Sequence, residues 1–133
     1  MTSMIFVNLP VASLPATMTF WRALGFDFNP GYTDETAACL VLSEQAFAML
    51  MTHEKFAGFA AVPPADPRRA RECLIAFQVA TRADVDRIAD AAAANGGAAH
   101  GDPQDHGFMY YRAITDPDGH VWEFTHFPAQ DAA

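Results

Sequence analysis

Asp116-Pro117-Asp118-Gly119-His120-Val121-Trp122-Glu123-Phe124 runs from a turn straight into a strand. Asp opens a type I turn, Pro presets φ at its second position, Asp tolerates the third and Gly fits the fourth. The run from Val121 to Phe127 is rich in aromatic and β-branched residues and reads as the final strand. It carries one carboxylate, Glu123, between Trp122 and Phe124. On a strand Glu123 shares a face with Val121 and Thr125, while Trp122, Phe124 and His126 point the other way.

Upstream of the turn, Phe108 to Thr115 reads as a strand, and Ala98 to Gly107 as a weak strand or loop. Thr81 caps a helix, with Asp84 three residues on as in a capping box. Val85, Ile88, Ala89 and Ala92 form that helix's apolar stripe, and Gly96-Gly97 ends it. Leu74 to Val79 is a strand. Before it, Val62-Pro63-Pro64-Ala65-Asp66-Pro67 can continue neither helix nor sheet and reads as a linker. The basic run Arg68-Arg69-Ala70-Arg71 reads as its solvated continuation.

The first half follows the same plan. Ile5 to Val11 is a strand, and Ser13 caps a helix over Leu14 to Leu24. Leu14, Met18, Trp21 and Leu24 recur at helical spacing, Pro15 fits the first turn, and Gly25 stops the helix. Phe26 to Thr33 is a weak strand or loop broken at Pro30-Gly31. Ala37 to Leu42 and Ala46 to His53 are strands joined at Ser43-Glu44-Gln45. The halves align residue by residue. Val7-Asn8-Leu9-Pro10-Val11-Ala12-Ser13 lies over Ile75-Ala76-Phe77-Gln78-Val79-Ala80-Thr81. Ala48-Met49-Leu50-Met51-Thr52-His53 lies over Val121-Trp122-Glu123-Phe124-Thr125-His126.

This repeat predicts an α+β fold of two paired βαβββ modules, a curled mixed sheet around a cleft with the helices outside. One domain would span residues 1–133, with module one at about 4–60, the linker at 61–71 and module two at about 72–128. Ile5, Val7 and Leu9, with Ile75, Phe77 and Val79, suit the helix-covered side. Phe6, Asn8 and Pro10, with Leu74, Ala76 and Gln78, would line the cleft. Glu123 would join them, and so, by the alignment of the closing strands, would Leu50 with Ala48 and Thr52.

Composition narrows the function. A hydrophobic fraction of 51% with 11 Phe fills one core. A net charge of −8 argues against nucleic-acid binding, which leaves a basic footprint. No stretch approaches the roughly 18 apolar residues of a membrane span, and Met1 to Pro10 lacks the basic start of a leader. Cys39 and Cys73 form neither a metal spacing nor a disulfide framework, which fits two buried thiols in a reducing cytoplasm.

Several motifs resemble those of the vicinal oxygen chelate superfamily, which includes glyoxalase I, extradiol dioxygenases, fosfomycin-resistance enzymes and bleomycin-resistance proteins. They are Val7-x-Leu9-x-Val11-x-Ser13-Leu14, Phe20-Trp21-x-x-Leu24-Gly25-Phe26, Ile75-Ala76-Phe77-x-Val79 and Asp116-Pro117-Asp118-Gly119-His120-x-Trp122-Glu123. Together with Asp105-His106-Gly107-Phe108-Met109-Tyr110, the last is similar to a bacterial subgroup labelled lactoylglutathione lyase-related. The resemblance implies one divalent metal, held by His and Glu from the first and last strands of each half. Carried over, the ligand positions fall on Phe6, Leu50, Leu74 and Glu123. Such a site needs three or more N, O or S ligands, and one carboxylate cannot supply them. His120 and His126 stand an odd number of residues from Glu123 and point away from it, and His53 is on the wrong face. His100 and His106 lie in a loop, from which His106 could reach the site.

The expectation is therefore a protein with no metal and no other cofactor. Glu123, desolvated in an apolar cleft, would serve as general base or acid. Phe6, Asn8, Leu50, Thr52, Leu74, Ala76, Gln78, His106 and Tyr110 would contact the ligand. Tyr110 and Arg112 share a face and would suit an anionic ligand if that face is the cleft. Met49, Met51 and Met109 read as filler. Charge, thiols and the lack of a long apolar run lead to the expectation of a cytoplasmic protein binding neither nucleic acid nor membrane, and the resemblance implies a homodimer of the bleomycin-resistance type holding a small, largely apolar molecule. The alternative is a glyoxalase-like lyase or isomerase using Glu123 as base or metal ligand.

Overall fold

In the computed structural model, which describes residues 1–128, the chain forms two compact units, Met1–Ala65 and the part from Asp66 onward. The first contains β1 (Ile5–Val11), α1 (Leu14–Ala23), β2 (Asp27–Phe28), β3 (Ala37–Val41), β4 (Ala46–Thr52) and α2 (His53–Ala60). The second contains β5 (Ile75–Gln78), α3 (Arg82–Ala94), β6 (Ala98–Ala99), β7 (Gln104–Asp105), β8 (Tyr110–Thr115) and β9 (Val121–His126). The sheets run β1-β4-β3-β2 and β5-β9-β8-β6, with β7 paired to β8. In each sheet the first strand lies parallel to the last, and the last antiparallel to the strand before it. The repeat is thus a repeat of topology: each unit is a βαβββ module with a mixed sheet.

Local chemistry explains the helix boundaries. Ser13 accepts the Ala16 N–H at 3.2 Å and Thr81 accepts the Asp84 N–H at 3.0 Å, so each cap satisfies an otherwise orphaned donor. Leu14, Thr17, Phe20 and Trp21 of α1 are buried, as are Val85, Ile88, Ala89 and Ala92 of α3. Full burial of a side chain such as Phe20 stabilises the unit by roughly 2–3 kcal/mol. Among the described residues no helix is long and apolar enough to cross a membrane.

Three expectations need correction. The first concerns Ala46 to His53, read as one strand. The strand ends at Thr52, whose hydroxyl accepts the Lys55 N–H at 3.2 Å and starts α2. Glu54 in the first turn suits the positive end of the helix. Thr52 is therefore the cap of α2, its hydroxyl already engaged. Its apparent match to Thr125 is a coincidence of the dipeptide Thr-His, since Thr125-His126 continues a strand.

The second concerns phase. In the parallel pair β1 and β4, Asn8 lies beside Met49 and Leu9 beside Leu50. In β5 and β9, Ala76 lies beside Glu123. Aligning Asn8 with Ala76 therefore makes Met49, not Leu50, the counterpart of Glu123. A slip of one residue swaps the faces of a strand. Leu50 and Ala48 are fully buried with Leu9, Ala38 and Leu40 in the core of the first unit. Arg22 of α1 stacks over Phe28, which pairs with Leu40, so α1 covers this face. Leu50 is core and does not face outward with Phe6 and Asn8.

The third concerns the basic run. Arg68 is not merely solvated: its guanidinium donates to the carbonyls of Pro117 at 2.7 Å and Asp118 at 2.8 Å. Arg71 donates to the Gly119 carbonyl at 3.4 Å. The turn they clasp is built around Asp116. Its buried carboxylate accepts the N–H groups of Asp118 at 2.9 Å and His120 at 3.0 Å, and the Trp122 indole N–H at 3.0 Å. Burial pushes the Asp116 carboxyl above its ordinary range, against the pull of His120 and of the indole. Gly119 takes φ +93°, and a Cβ there would come within 2.7 Å of Arg68 Cγ. Gly is therefore required both by conformation and by the clasp.

Candidate functional site

Glu123 lies mid-strand in β9, half-buried, between Ala76 on β5 and Ala113 on β8. In-register neighbours share a face, so Glu123 stands in a row of two alanines. The adjacent row is Gln78, Thr125, Tyr111 and Gln104. Its members lie one diagonal step away, about 7–8 Å between Cα atoms and within reach of long side chains. Ala76 and Gln78 are exposed, Tyr111 and Gln104 half-buried. Among the described residues no hydrogen bond or ion pair engages the Glu123 carboxylate. The alanines carry nothing beyond Cβ, so no neighbouring side chain in its own row screens it.

His106 joins this side of the sheet through Tyr111. Their rings stack with centroids 6.2 Å apart at 30°, and Phe108 stacks on His106 at 6.2 Å and 28°. Tyr111 and Phe108 had no assigned role in the sequence. The alternation of β8 contains the signal for Tyr111, since it stands two residues from Ala113, the partner of Glu123.

Tyr110 is placed otherwise than expected. It pairs with His126, and Arg112 with Phe124, on the face opposite Glu123. There its hydroxyl donates to Asp86 of α3 at 2.5 Å, and Arg112 bridges Asp86 and Asp90 at 3.2 and 3.1 Å. Phe77, Trp122 and Phe124 form edge-to-face pairs on that same side. The Tyr110 hydrogen bond and the neighbouring Arg112 hold the Asp86 carboxyl below its ordinary value. Tyr110 and Arg112 tie sheet to helix; they do not form an anion site beside Glu123.

In the first unit, Phe6 and Asn8 are exposed and stand beside half-buried Phe47 and Met49. Phe6 and Phe47 stack at 5.0 Å and 17°. Leu74, just before β5, is 56% exposed. Phe6 on β1 and Leu74 ahead of β5 thus leave apolar side chains half in water.

The residues do not fit a divalent metal. With the phase corrected, the four positions are Phe6, Met49, Leu74 and Glu123: two hydrocarbons, one soft thioether and one carboxylate. That set lacks the three N, O or S donors that Zn, Mn or Fe(II) sites use. Among the described residues no group of three or more His, Cys, Asp or Glu is placed to hold an ion.

The profile of the Glyoxalase/Bleomycin resistance protein/Dioxygenase superfamily matches residues 4–124, which span both modules and reach past Glu123. The chain belongs to this superfamily. No curated protein matches it. Among solved structures, a hypothetical protein from S. aureus is 25% identical with a TM-score of 0.78, over 95% of each chain. A solution structure of a protein from Agrobacterium tumefaciens is 26% identical with a TM-score of 0.72, over 96% of this chain and 98% of that one. A glyoxalase-related enzyme from Fulvimarina pelagi is 17% identical with a TM-score of 0.78, over 96% and 90%, and shares the fold. Within the glyoxalase superfamily, then, this chain retains one of the acidic positions implied for the metal site and carries Phe6, Met49 and Leu74 at the other three.

Proposed function

We propose that this protein is a glyoxalase/bleomycin-resistance-type binder of a small, largely apolar molecule, and that it works without the superfamily's usual metal. The observation that carries the reading is the chemistry of the exposed sheet faces. Phe6 is 50% and Leu74 56% exposed, and Glu123 is the single acid on its strand. On the second sheet Ala76, Gln78 and His106 add contacts on the Glu123 side, and on the first Asn8 adds one beside Phe6. Apolar side chains left in water are worth burying against a ligand at about 25 cal/mol per Å². The same reading takes the protein as a cytoplasmic homodimer, in keeping with its two free thiols.

Titration with a neutral apolar dye such as Nile red tests it. Saturable binding is expected, weakened by Phe6→Ser and Leu74→Ser in variants whose circular dichroism is unchanged. Absence of saturable binding, or binding indifferent to both changes, would contradict the reading.

A second reading rests on Glu123 itself, a carboxylate without a hydrogen-bond partner among the described residues. It is a glyoxalase-like lyase or isomerase in which Glu123 is the base. Turnover of a hemithioacetal that disappears in Glu123→Gln would favour it over binding alone.

A further inference from the structure

We propose that Arg68 and Arg71 are positioning residues that fix the register of β5 on β9 and so decide which side chains stand beside Glu123. The proposal rests on the reading of that face as the ligand face. β5 has four residues and lies parallel to β9, with Ile75 beside Trp122, Ala76 beside Glu123, Phe77 beside Phe124 and Gln78 beside Thr125. A parallel pair has no hairpin turn to set its register, and a strand this short has few bonds to set it with. The corresponding pair in the first unit, β1 and β4, is matched over all seven residues of each strand. A slip of one residue would flip the faces of β5 and bring Ile75 or Phe77 beside Glu123 in place of Ala76.

The two arginines tie the chain entering β5 to the turn entering β9. That turn, residues 116–120, lies between Thr115 and Val121, which pair across the β8–β9 hairpin. Arg68 sets both terminal nitrogens of its guanidinium on the turn, at the Pro117 and Asp118 carbonyls, and Arg71 reaches the Gly119 carbonyl. Their own segment is a second turn. The Asp66 carbonyl accepts the Arg69 and Ala70 N–H groups, both at 3.0 Å, and its carboxylate accepts the Arg68 N–H at 3.0 Å. Arg71 also donates to the Pro67 carbonyl at 2.8 Å. From Arg71, Glu72, Cys73 and Leu74 lead into β5; from Asp116, the bonds to His120 and Trp122 lead into β9. Both strands therefore start from one hydrogen-bonded block.

The choice of partner points to a backbone-holding role. Arg22, Arg82, Arg87 and Arg112 all pair with aspartates, whereas Arg68 and Arg71 bond main-chain carbonyls. A planar fork meets two carbonyls in a fixed geometry, which a single ammonium does not. The far end of β5 is tied separately. The Val79 N–H donates to the Thr125 carbonyl at 2.8 Å, and the Thr125 hydroxyl donates to the Phe77 carbonyl at 3.3 Å. Without the arginines, β5 would be anchored at the Thr125 end, and the end set free is the one carrying Leu74 and Ala76.

Amide hydrogen exchange read by NMR, with Nile red titration alongside, tests this in Arg68→Ala, Arg71→Ala and Arg68→Lys. Both arginines are exposed, so the variants keep the fold. Arg68→Ala is expected to speed exchange of the β5 amides about tenfold, the low end for losing bonds to a charged group. The cross-strand Overhauser contacts between Ala76 and Glu123 should weaken with it. Arg71→Ala, which loses one longer bond to the turn, should act the same way and less. Arg68→Lys, which keeps the charge and loses the fork, should fall between Arg68→Ala and the unaltered protein. The amides of α3 and β8 should keep their rates, which separates positioning from a general loss of stability. Nile red should bind Arg68→Ala several-fold more weakly. Unchanged β5 exchange in Arg68→Ala, a quickening spread equally over α3 and β8, or a loosened β5 with unchanged Nile red affinity overturns the proposal. Failure of Nile red to bind the unaltered protein overturns the small-molecule reading instead, because exchange and Overhauser contacts report the β5 register without a ligand.

Discussion

Glu123 shows how far a single residue can be read. Its face followed from strand alternation, but its surroundings did not. The row of Ala76 and Ala113 depends on strand pairing, and the approach of His106 depends on a hairpin that its sequence signalled only as a loop. Tyr110 shows the opposite case. Its partner Asp86 lies on a different element, 24 residues away, and no local pattern marks the pair. This pair predicts a pH dependence. The Asp86 carboxyl is held below its ordinary value of 3.8, chiefly by Tyr110 and then by Arg112. Its stabilising share is complete above that ordinary value and is lost as pH falls through the lower value it has in the folded protein. Tyr110→Phe should cost about 1 kcal/mol at neutral pH, at the modest end for a bond to a half-exposed carboxylate. Urea unfolding across pH should show that cost shrinking below about pH 4. The two thiols make a second residue-level prediction. Burial pushes the Cys39 thiol up, while Cys73, expected to be buried, is exposed, because it lies in the stretch before β5 outside both sheets. Mass spectrometry after a short exposure to a maleimide should find Cys73 labelled and Cys39 protected, with labelling of Cys39 appearing only in denaturant.

At the level of elements, the long periodic segments were legible: α1, α3 and the strands β1, β3, β4, β8 and β9 fall where apolar spacing and caps put them. What failed was phase and punctuation. Met49-Leu50-Met51 carries no polar residue to mark which face is out, so a Thr-His match set the alignment one residue off. The helix α2 was missed because its eight residues have no buried apolar stripe, and its cap looked like the end of a strand. That helix also ends unusually. Ala61 adopts φ +64°, the left-handed conformation that Gly takes at no steric cost. Ala61→Gly should therefore stabilise the first unit by about 0.5–1 kcal/mol, reduced by the entropy Gly adds to the unfolded chain. A rise in thermal midpoint checks it; a fall would mean that α2 does not end in this conformation.

At the scale of the molecule, two modules of one topology are the feature that the sequence displayed most openly, because a duplicated order of elements survives side-chain change. The site was less legible. A metal site is defined by which few side chains share a space, and here the phase of one strand decided whether Leu50 or Met49 was compared with Glu123. Both comparisons lead to the same donor count, a single carboxylate among side chains unsuited to a hard or borderline ion. The metal-free part of the account depends on that count more than on any other point. Its most direct test is elemental analysis of the untagged protein, followed by calorimetric titration with Ni, Zn, Mn and, anaerobically, Fe(II). The account predicts no retained metal and no stoichiometric binding. One metal per chain with sub-micromolar affinity would contradict it and make the lyase reading, with Glu123 as a ligand, the better one.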